Sequence, residues 1–369
     1  MSVSPPPEQW ESPKPSTGPR PAPAAGGQRT TLAAVAKAAG TSIPTVSKVI
    51  NGRTGVSPET RAAVEAAIAD LGYVSLGERQ SSIYAAQEMS VELVVDPNDV
   101  SNPYLSLFLG GALEAATALS VALVLRDLRS GPATDAVSWA RRLAGSGRAG
   151  VIEVTSAFSP AREKAVKRAG LAMVLVDPID LPRLATPSIG ATNWAGAYSA
   201  TQHLIELGHR RIDYIGGQEG AHCDVVRAHG WAAAMSEAGL DADVASVPRH
   251  SYTFEHGLAV ATRLLAGPDR PTAIFAGSDT IAAGVLEAAR RQGLSVPRDL
   301  SVVGFDDTLL AQMSTPPLTT VHQPIADIGR ASVSTIVRLA RGESLRTKRV
   351  ELSTHLVVRD STAPPHSEE

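Results

Sequence analysis

One cysteine, Cys223, stands in a chain of 369 residues. A single thiol excludes an intramolecular disulfide and a metal cage built from cysteine alone. It suits a reducing, cytoplasmic setting. Aromatic residues make up only 4%. Long hydrophobic runs are missing as well. The longest uncharged run, residues 184–205, is broken by Pro187, Asn193, Gln202 and several hydroxyls, so no membrane span is expected. Nor is positive charge in excess: 34 Lys and Arg face 37 Asp and Glu, a net of −3. That excludes a basic coat over the whole chain but leaves room for one small nucleic-acid-reading module. The chain's start lacks the basic segment and apolar core of a secretory signal.

What is present divides into zones. Hydrophobic residues at 43% supply a sizeable core, and the length suggests two or three domains. Residues 1–29 hold eight of the 26 prolines; they cannot bury enough surface to offset their ordering entropy and are expected to be disordered. Residues 30–73 read as short helices. Residues 77–90 lose pattern and read as a linker. From Val91 short apolar runs recur: Val91–Val95, Val121–Leu125, Val151–Val154, Ala172–Val176, Ile212–Ile215, Ala273–Ala276 and Ser301–Phe305. Alanine-rich helical stretches lie between most of them, such as Ala112–Leu119 and Ile281–Arg290. This alternation predicts parallel sheets with helices on both faces, and about 270 residues of it suggests two lobes.

Polar groups follow several strands: Asp96, Asp177, Ser278-Asp279 and Asp306-Asp307. In open parallel sheets the ligand crevice lies beyond the carboxyl ends of the strands. Each aspartate taken alone could equally be a helix cap or turn residue; several together point to a pocket for a hydroxylated ligand.

The sharpest signal runs from Thr31 to Gly52. Thr30 or Thr31 can cap a first helix with Leu32, Val35, Ala36 and Ala39 on one face. Gly40 stops it and supplies a tight turn. Ser42 can cap a second helix, with Pro44 tolerated in its first turn and Val46, Val49 and Ile50 facing inward. This is a helix-turn-helix whose second helix enters the major groove. Ile43, Pro44, Thr45, Ser47 and Lys48 are then exposed; Thr45 and Ser47 can bond phosphates or base edges, and Lys48 can reach guanine or phosphate. A third helix follows, capped by Ser57, started by Pro58, with Val64, Ile68 and Leu71 as its buried stripe. From Thr30 to Gln80 five basic residues face four acidic ones. A net of +1 is thin for DNA, so one copy alone binds weakly and a dimer is implied.

This motif resembles the N-terminal signature of the lactose-repressor/galactose-repressor (LacI/GalR) family of bacterial transcription regulators. The similarity extends through Val56-Ser57-Pro58-Glu59-Thr60-Arg61, Asp70-Leu71-Gly72-Tyr73 and Ser101-Asn102-Pro103-Tyr104. It continues in His203-Leu204-Ile205-Glu206-Leu207-Gly208-His209-Arg210-Arg211-Ile212 and Val302-Val303-Gly304-Phe305-Asp306-Asp307. Near the end stand Thr315-Pro316-Pro317-Leu318-Thr319-Thr320-Val321 and Leu356-Val357-Val358-Arg359-Asp360-Ser361-Thr362.

The resemblance implies an all-α helix-turn-helix headpiece (30–76), a hinge (77–90) and an α/β core of two lobes of the type I periplasmic-binding-protein kind. The N-terminal lobe would take 91–191 and 323–350, the C-terminal lobe 192–322 and 351–360, with 361–369 a tail. It implies a cytoplasmic homodimer on a near-palindromic operator in double-stranded DNA, switched by a small effector, usually a sugar. No cofactor, metal or membrane is implied. The candidate DNA contacts are Thr31, Ser42, Ile43, Pro44, Thr45, Ser47, Lys48, Asn51 and, in the hinge, Arg79. For the effector, Arg227 stands in Val226-Arg227-Ala228-His229-Gly230-Trp231, which looks like the family's Arg-x-x-Gly-aromatic pattern; a planar guanidinium suits vicinal hydroxyls. Asp177, Asn193, Tyr252, Ser278, Asp279 and Asp306 match other cleft positions, with packing or capping an open alternative for all but Asp306. Tyr252 could stack on a ring face. Ser278 replaces an asparagine frequent in the family. Cys223 aligns near the pocket as incidental burial, and His222 and His229 form no helix-face metal pair.

The hinge departs from the family pattern. Aligned without gaps, Ser82 stands where a leucine usually wedges into the minor groove, and Ser75 replaces a proline. A serine cannot fill opened base steps as an apolar wedge does, so little DNA bending is expected. Two other functions fit less well. A transporter's solute-binding component would need a signal peptide, which is missing here, and would have no use for the headpiece. A dinucleotide-dependent enzyme would need a glycine-rich turn after the first strand, where this chain has Asp96-Pro97-Asn98-Asp99-Val100-Ser101. No activated nucleophile or acid–base pair stands out.

Overall fold

A computed structural model describes residues 31–50, 55–71, 73, 89–96, 101–127, 135–180 and 186–366. The chain divides into two compact units between Ala86 and Gln87.

The first unit holds three helices among its described residues. Thr31 caps α1 (Leu32–Ala38), its Oγ1 accepting the Ala34 N–H at 3.2 Å. Gly40 adopts φ +61°, a left-handed turn that costs glycine little. Ser42 opens α2 (Ile43–Ile50) by accepting the Thr45 N–H at 3.3 Å. Ser57 caps α3 (Pro58–Asp70), with Pro58 in the first turn, where its missing N–H costs nothing. Val35, Ala36, Val46, Val49, Val64, Ala67 and Tyr73 form the core. The expected stripe on α3 is corrected at one place. The helix ends at Asp70, so Leu71 leaves the helical period and is 39% exposed. Ala67 and Tyr73 fill its place; the Tyr73 N–H donates to the Ile68 carbonyl at 3.0 Å, which folds the chain back onto the core.

The second unit has two sheets. The first contains β1 (Met89–Val95), β2 (Val121–Asp127), β3 (Arg148–Val154), β4 (Ala172–Val176), β5 (Ser188–Ala191) and β10 (Arg349–Leu352), in the order β10-β5-β4-β3-β1-β2, all parallel. The second contains β6 (Ile212–Ile215), β7 (Ala273–Ala276), β8 (Ser301–Asp306), β9 (Thr319–His322) and β11 (His355–Val357), in the order β11-β9-β8-β7-β6. Only β11 runs antiparallel there.

Helices cover both faces of each sheet, as burial of both faces of a parallel sheet requires. In the first lobe α4 (Pro103–Leu119) and α12 (Ile325–Ala340) pack on one face, and α5 (Ala136–Gly145) and α6 (Pro160–Arg168) on the other. In the second, α7 (Asn193–Glu206) and α8 (His222–Glu237) cover one face, α9 (Phe254–Ala266) and α10 (Asp279–Arg291) the other. The short α11 (Leu309–Met313) follows β8. Helices α4 and α12 lie in direct backbone contact: a Cβ on Gly111 would sit 1.8 Å from the Ala326 carbonyl oxygen. No described helix is long and apolar enough to cross a membrane.

All seven apolar runs read from the sequence are strands. Four more strands are added. β5 lies inside the uncharged run 184–205, and β9 is built on threonines whose side chains are fully buried. The chain crosses between lobes after β5, after β9 and after β10. The last crossing comes later than residue 350, because β10 stays paired with β5 through Leu352 opposite Ala191. The expected tail also starts inside the lobe. Ser361 is fully buried; its Oγ donates to the Val302 carbonyl at 2.6 Å and accepts the Thr319 N–H at 2.8 Å.

Candidate effector cleft and DNA-reading helix

The carboxyl ends of β1, β3 and β4 in one lobe face the start of α8 and the end of β8 in the other. Between them lies a cavity of about 70 Å³, lined by Asn102, Tyr104, Asp177, Arg227, Tyr252 and Asp306, among others. Val95, Leu105, Val154 and Ile179 give it an apolar wall. It widens into a mouth of about 570 Å³ beside Asp96, Ser101, Phe254 and Glu255. On the side where the chain crosses between the lobes lies a hollow of about 220 Å³ bordered by Trp194, His222, Arg349 and Glu351; Asp177 and Cys223 line both it and the inner cavity.

The first lobe contributes a fixed pair. Asp177 ends β4 with φ +39°, and Tyr104 in the first turn of α4 donates its hydroxyl to Asp177 Oδ2 at 2.5 Å. Burial raises the Asp177 pKa, and the Tyr104 hydrogen bond works against that rise. The second lobe contributes Arg227 from the middle of α8, 4% exposed. Its Nε donates to Asn193 Oδ1 at 2.7 Å and its Nη1 to the Gly277 carbonyl at 2.5 Å. The guanidinium lies 3.7 Å from the centre of the Phe305 ring, a cation–π contact that fixes its plane. Its Nη2 stops 4.0 Å from Asp306 Oδ1. That gap is too long for a hydrogen bond, and it is wide enough for one ligand hydroxyl to accept from Arg227 while donating to Asp306.

Asp306 sits at φ +115°, a conformation L-residues rarely adopt and one that clusters at ligand sites. Gln323 Nε2 donates to its Oδ1 at 2.6 Å. Burial pushes its pKa up to about 8, with Arg227 pulling the other way. Tyr252 stands beside Cys223, Oη to Sγ 3.3 Å. Burial raises both their pKa values, so both stay protonated.

The structure therefore brings Asp177, Arg227, Tyr252, Ser278 and Asp306 to one cavity. Ser278 is also a helix cap, its Oγ accepting the Ile281 N–H at 3.2 Å. Two candidates lie elsewhere. Asp279 points into the lobe, where its carboxylate accepts from the Thr308 N–H at 2.7 Å, the Thr308 hydroxyl at 2.9 Å and the Thr320 hydroxyl at 2.6 Å. Those bonds tie the start of α10 to the strand ends, so Asp279 is structural. Asn193 borders the hollow at the lobe crossings, with Nδ2 held by the Ala191 carbonyl at 3.0 Å and Oδ1 by Arg227; it positions the guanidinium. Tyr104, Asn102 and Gln323 belong to the site but are not among the residues expected from sequence. The first two stand in the quoted Ser101–Tyr104 motif, a signal that was available. Nothing local marked Gln323.

In the headpiece, Ile43, Pro44 and Lys48 are exposed on α2, while Thr45 and Ser47 are half-buried. The Ser42 and Thr45 hydroxyls lie 2.9 Å apart and bond each other. Thr31 serves as the α1 cap. Asn51 and Arg79, like hinge residues 77–88, lie outside the described residues, and the last two residues of the expected hinge, Met89 and Ser90, belong to β1.

A helix-turn-helix module joined to a two-lobe binding core defines a ligand-responsive DNA-binding regulator. The model for bacterial regulatory proteins of the lacI family matches residues 31–75, and the periplasmic binding protein-like domain matches residues 201–362. The chain belongs to the LacI family. It is similar to the HTH-type transcriptional regulator DegA of Bacillus subtilis, 34% identical over 340 residues, 91% of this chain and 99% of that protein. It is also 34% identical to the regulator CelR of Thermobifida fusca over 90% of this chain and 98% of that one. The repressor CytR of Escherichia coli is 31% identical over 332 residues, 90% of this chain and 96% of its own. Among solved structures, the CelR–cellobiose complex matches 90% of this chain and 100% of that one, at TM-score 0.67 and 34% identity. The lac repressor dimer bound to operator and the anti-inducer ONPF matches 91% and 100%, at TM-score 0.69 and 26% identity. This chain is a DNA-binding transcription regulator, not an enzyme.

Proposed function

We propose that this regulator represses transcription as a homodimer on a near-palindromic operator, and that a sugar bound between its lobes switches it. The observation that carries the reading is the 4.0 Å gap between Arg227 and Asp306, set opposite the Tyr104–Asp177 pair across one cavity. Polar groups from both lobes converge where a hydroxylated ring can touch all of them. A ligand that bridges two lobes binds one arrangement of them better, and that difference in affinity is what shifts an equilibrium. The CelR–cellobiose complex favours a sugar, and the lac repressor dimer on its operator favours a paired DNA-bound form.

Two features support the dimer. The described headpiece residues carry three cations, Lys37, Lys48 and Arg61, against Glu59, Glu65 and Asp70. Such a balance gives one copy weak affinity for DNA. On the core, Leu309 and Met313 of α11 are 63% and 72% exposed, and Leu113 of α4 is 56% exposed; exposed large apolar groups mark contact surfaces. The test is a gel shift with DNA from upstream of the chain's own gene, with and without a panel of sugars, beside calorimetry. A sugar that binds the protein and releases the DNA supports the reading. DNA binding that no sugar alters, with no sugar bound by calorimetry, overturns it.

A further inference from the structure

We propose that the cleft selects by charge: it accepts an uncharged or amine-bearing ring and rejects the same ring carrying a phosphate or carboxylate. The proposal rests on the cleft being the effector site. It starts from the charges that border the three connected spaces. Asp177 and Asp306 line the inner cavity, Asp96 and Glu255 the mouth, and Glu351 the hollow at the lobe crossings. Among the described lining residues, Arg227 and Arg349 are the only arginine or lysine side chains, and His250 joins them at the mouth. Arg349 is spent on Glu351 at 2.7 Å. His222 adds no charge, because burial and the neighbouring Arg349 lower its pKa. Burial pushes the Asp306 pKa up to about 8, so it stays protonated near neutral pH; the other four carboxylates against two guanidinium groups, behind apolar walls, leave the cleft net negative.

The hydrogen-bonding inventory points the same way. An anionic group offers acceptors alone and needs donors. Arg227 already gives Nε to Asn193 and Nη1 to Gly277, and its remaining edge faces Asp306. Of the helix starts at the inner cavity, those of α4 and α10 are taken by their own caps: Asn102 Oδ1 accepts from the Tyr104 N–H at 3.0 Å, and Ser278 Oγ from the Ile281 N–H at 3.2 Å; α8, entered through Ala221, has no side-chain cap, and its His222 N–H donates to the Ile179 carbonyl at 2.8 Å. Acceptors are in surplus. Gln323 Oε1, behind Asp306, is buried without a partner. A hydroxyl or an ammonium has protons to give to this surplus; a phosphate has none.

The cleft's own thiol reports its potential without any effector. Cys223 is the chain's single cysteine and lines the inner cavity. The full chain is treated with two methanethiosulfonate reagents of similar size, one bearing an ammonium and one a sulfonate, each rate normalised to that with free mercaptoethanol. The ammonium reagent should lead by about tenfold or more, and the lead should shrink in Asp177→Asn. A sulfonate reagent that reacts as fast as the ammonium one overturns the proposal. If Cys223 resists both, calorimetry decides, with glucose, cellobiose, glucosamine, glucose 6-phosphate and glucuronate, extended to matched sets built on whichever sugar binds. The charged acid should bind on the order of 100-fold more weakly than its neutral parent, since like charges brought together in a desolvated site cost several kcal/mol. An acid that binds as tightly as its parent, with that binding lost in Arg227→Ala, refutes charge selection but keeps the cleft as effector site. Sugar binding that survives Arg227→Ala unchanged, or no sugar binding at all, removes the effector-site reading and this proposal with it.

Discussion

Replacing Asp306 with asparagine should make the second lobe more stable near neutral pH while removing the effector response. The Asp306 carboxyl is 7% exposed, and burial lifts its pKa from an ordinary 3.8 to about 8. A carboxyl pKa raised in the folded state means that folding takes up a proton between the two values. Stability from this group is then full below about pH 4 and is lost as pH rises toward 8. The slope is up to about 1.4 kcal/mol per pH unit, so moving from pH 5 to pH 7 costs the wild type up to about 3 kcal/mol through this group alone. Asp306→Asn carries no charge to desolvate and keeps the carbonyl that accepts from Gln323. Asp279, also raised by burial, to about 6, adds to the Asp306 rise through its charge, so the difference reports the two carboxyls together. Denaturant unfolding at pH 5, 6, 7 and 8 measures that difference directly. The variant should gain on the wild type steadily across the series while calorimetry shows weakened sugar binding. Parallel pH profiles for the two proteins would refute the argument, since they would mean that the carboxyl is ionised in the fold throughout.

Other perturbations separate the parts of the molecule. Arg227→Ala breaks the bonds to Asn193 and Gly277 and removes the group facing Asp306; effector affinity should fall by more than about 2 kcal/mol, with effector-free DNA binding unchanged by gel shift. Lys48→Ala takes one exposed cation from α2, so operator affinity should drop and the salt slope should lessen by about one, while the headpiece melts as before by circular dichroism. Gly111→Ala places a Cβ against the Ala326 carbonyl, rigid backbone that cannot swing away. The α4–α12 contact must open, and thermal melts should show a loss of about 1–3 kcal/mol. A wild-type melting point would show that these helices have room to part.

Much of the fold was legible because the strands that build the lobe centres are buried on both faces. Val91–Val95 and Ser301–Phe305 read as apolar runs for that reason, even though the first contains Glu92, fully buried beside Arg126 and Arg148. The strands at the lobe crossings have no such signature. β10 alternates exposed and half-buried residues at a sheet edge, and β9 hides its threonine hydroxyls through bonds to Asp279, Arg359 and Thr362. Composition marks neither, since what makes them strands is a partner far away in the chain.

The site divides along a similar line. Asp279 and Asp306 both follow a buried strand, both are aspartates, and both match the family's cleft positions. One is consumed by three bonds to Thr308 and Thr320 and the other faces the cavity, because the residues that satisfy a carboxylate decide whether it remains available to a ligand. Thr320 lies 41 residues from Asp279, too far for any local pattern to show. Arg227 is different: a guanidinium has more donors than the Asn193 and Gly277 oxygens can occupy, so even a firmly anchored arginine keeps an edge to offer. Among buried polar groups that line a cleft, donor-rich residues therefore carry a ligand-binding inference from sequence better than carboxylates do.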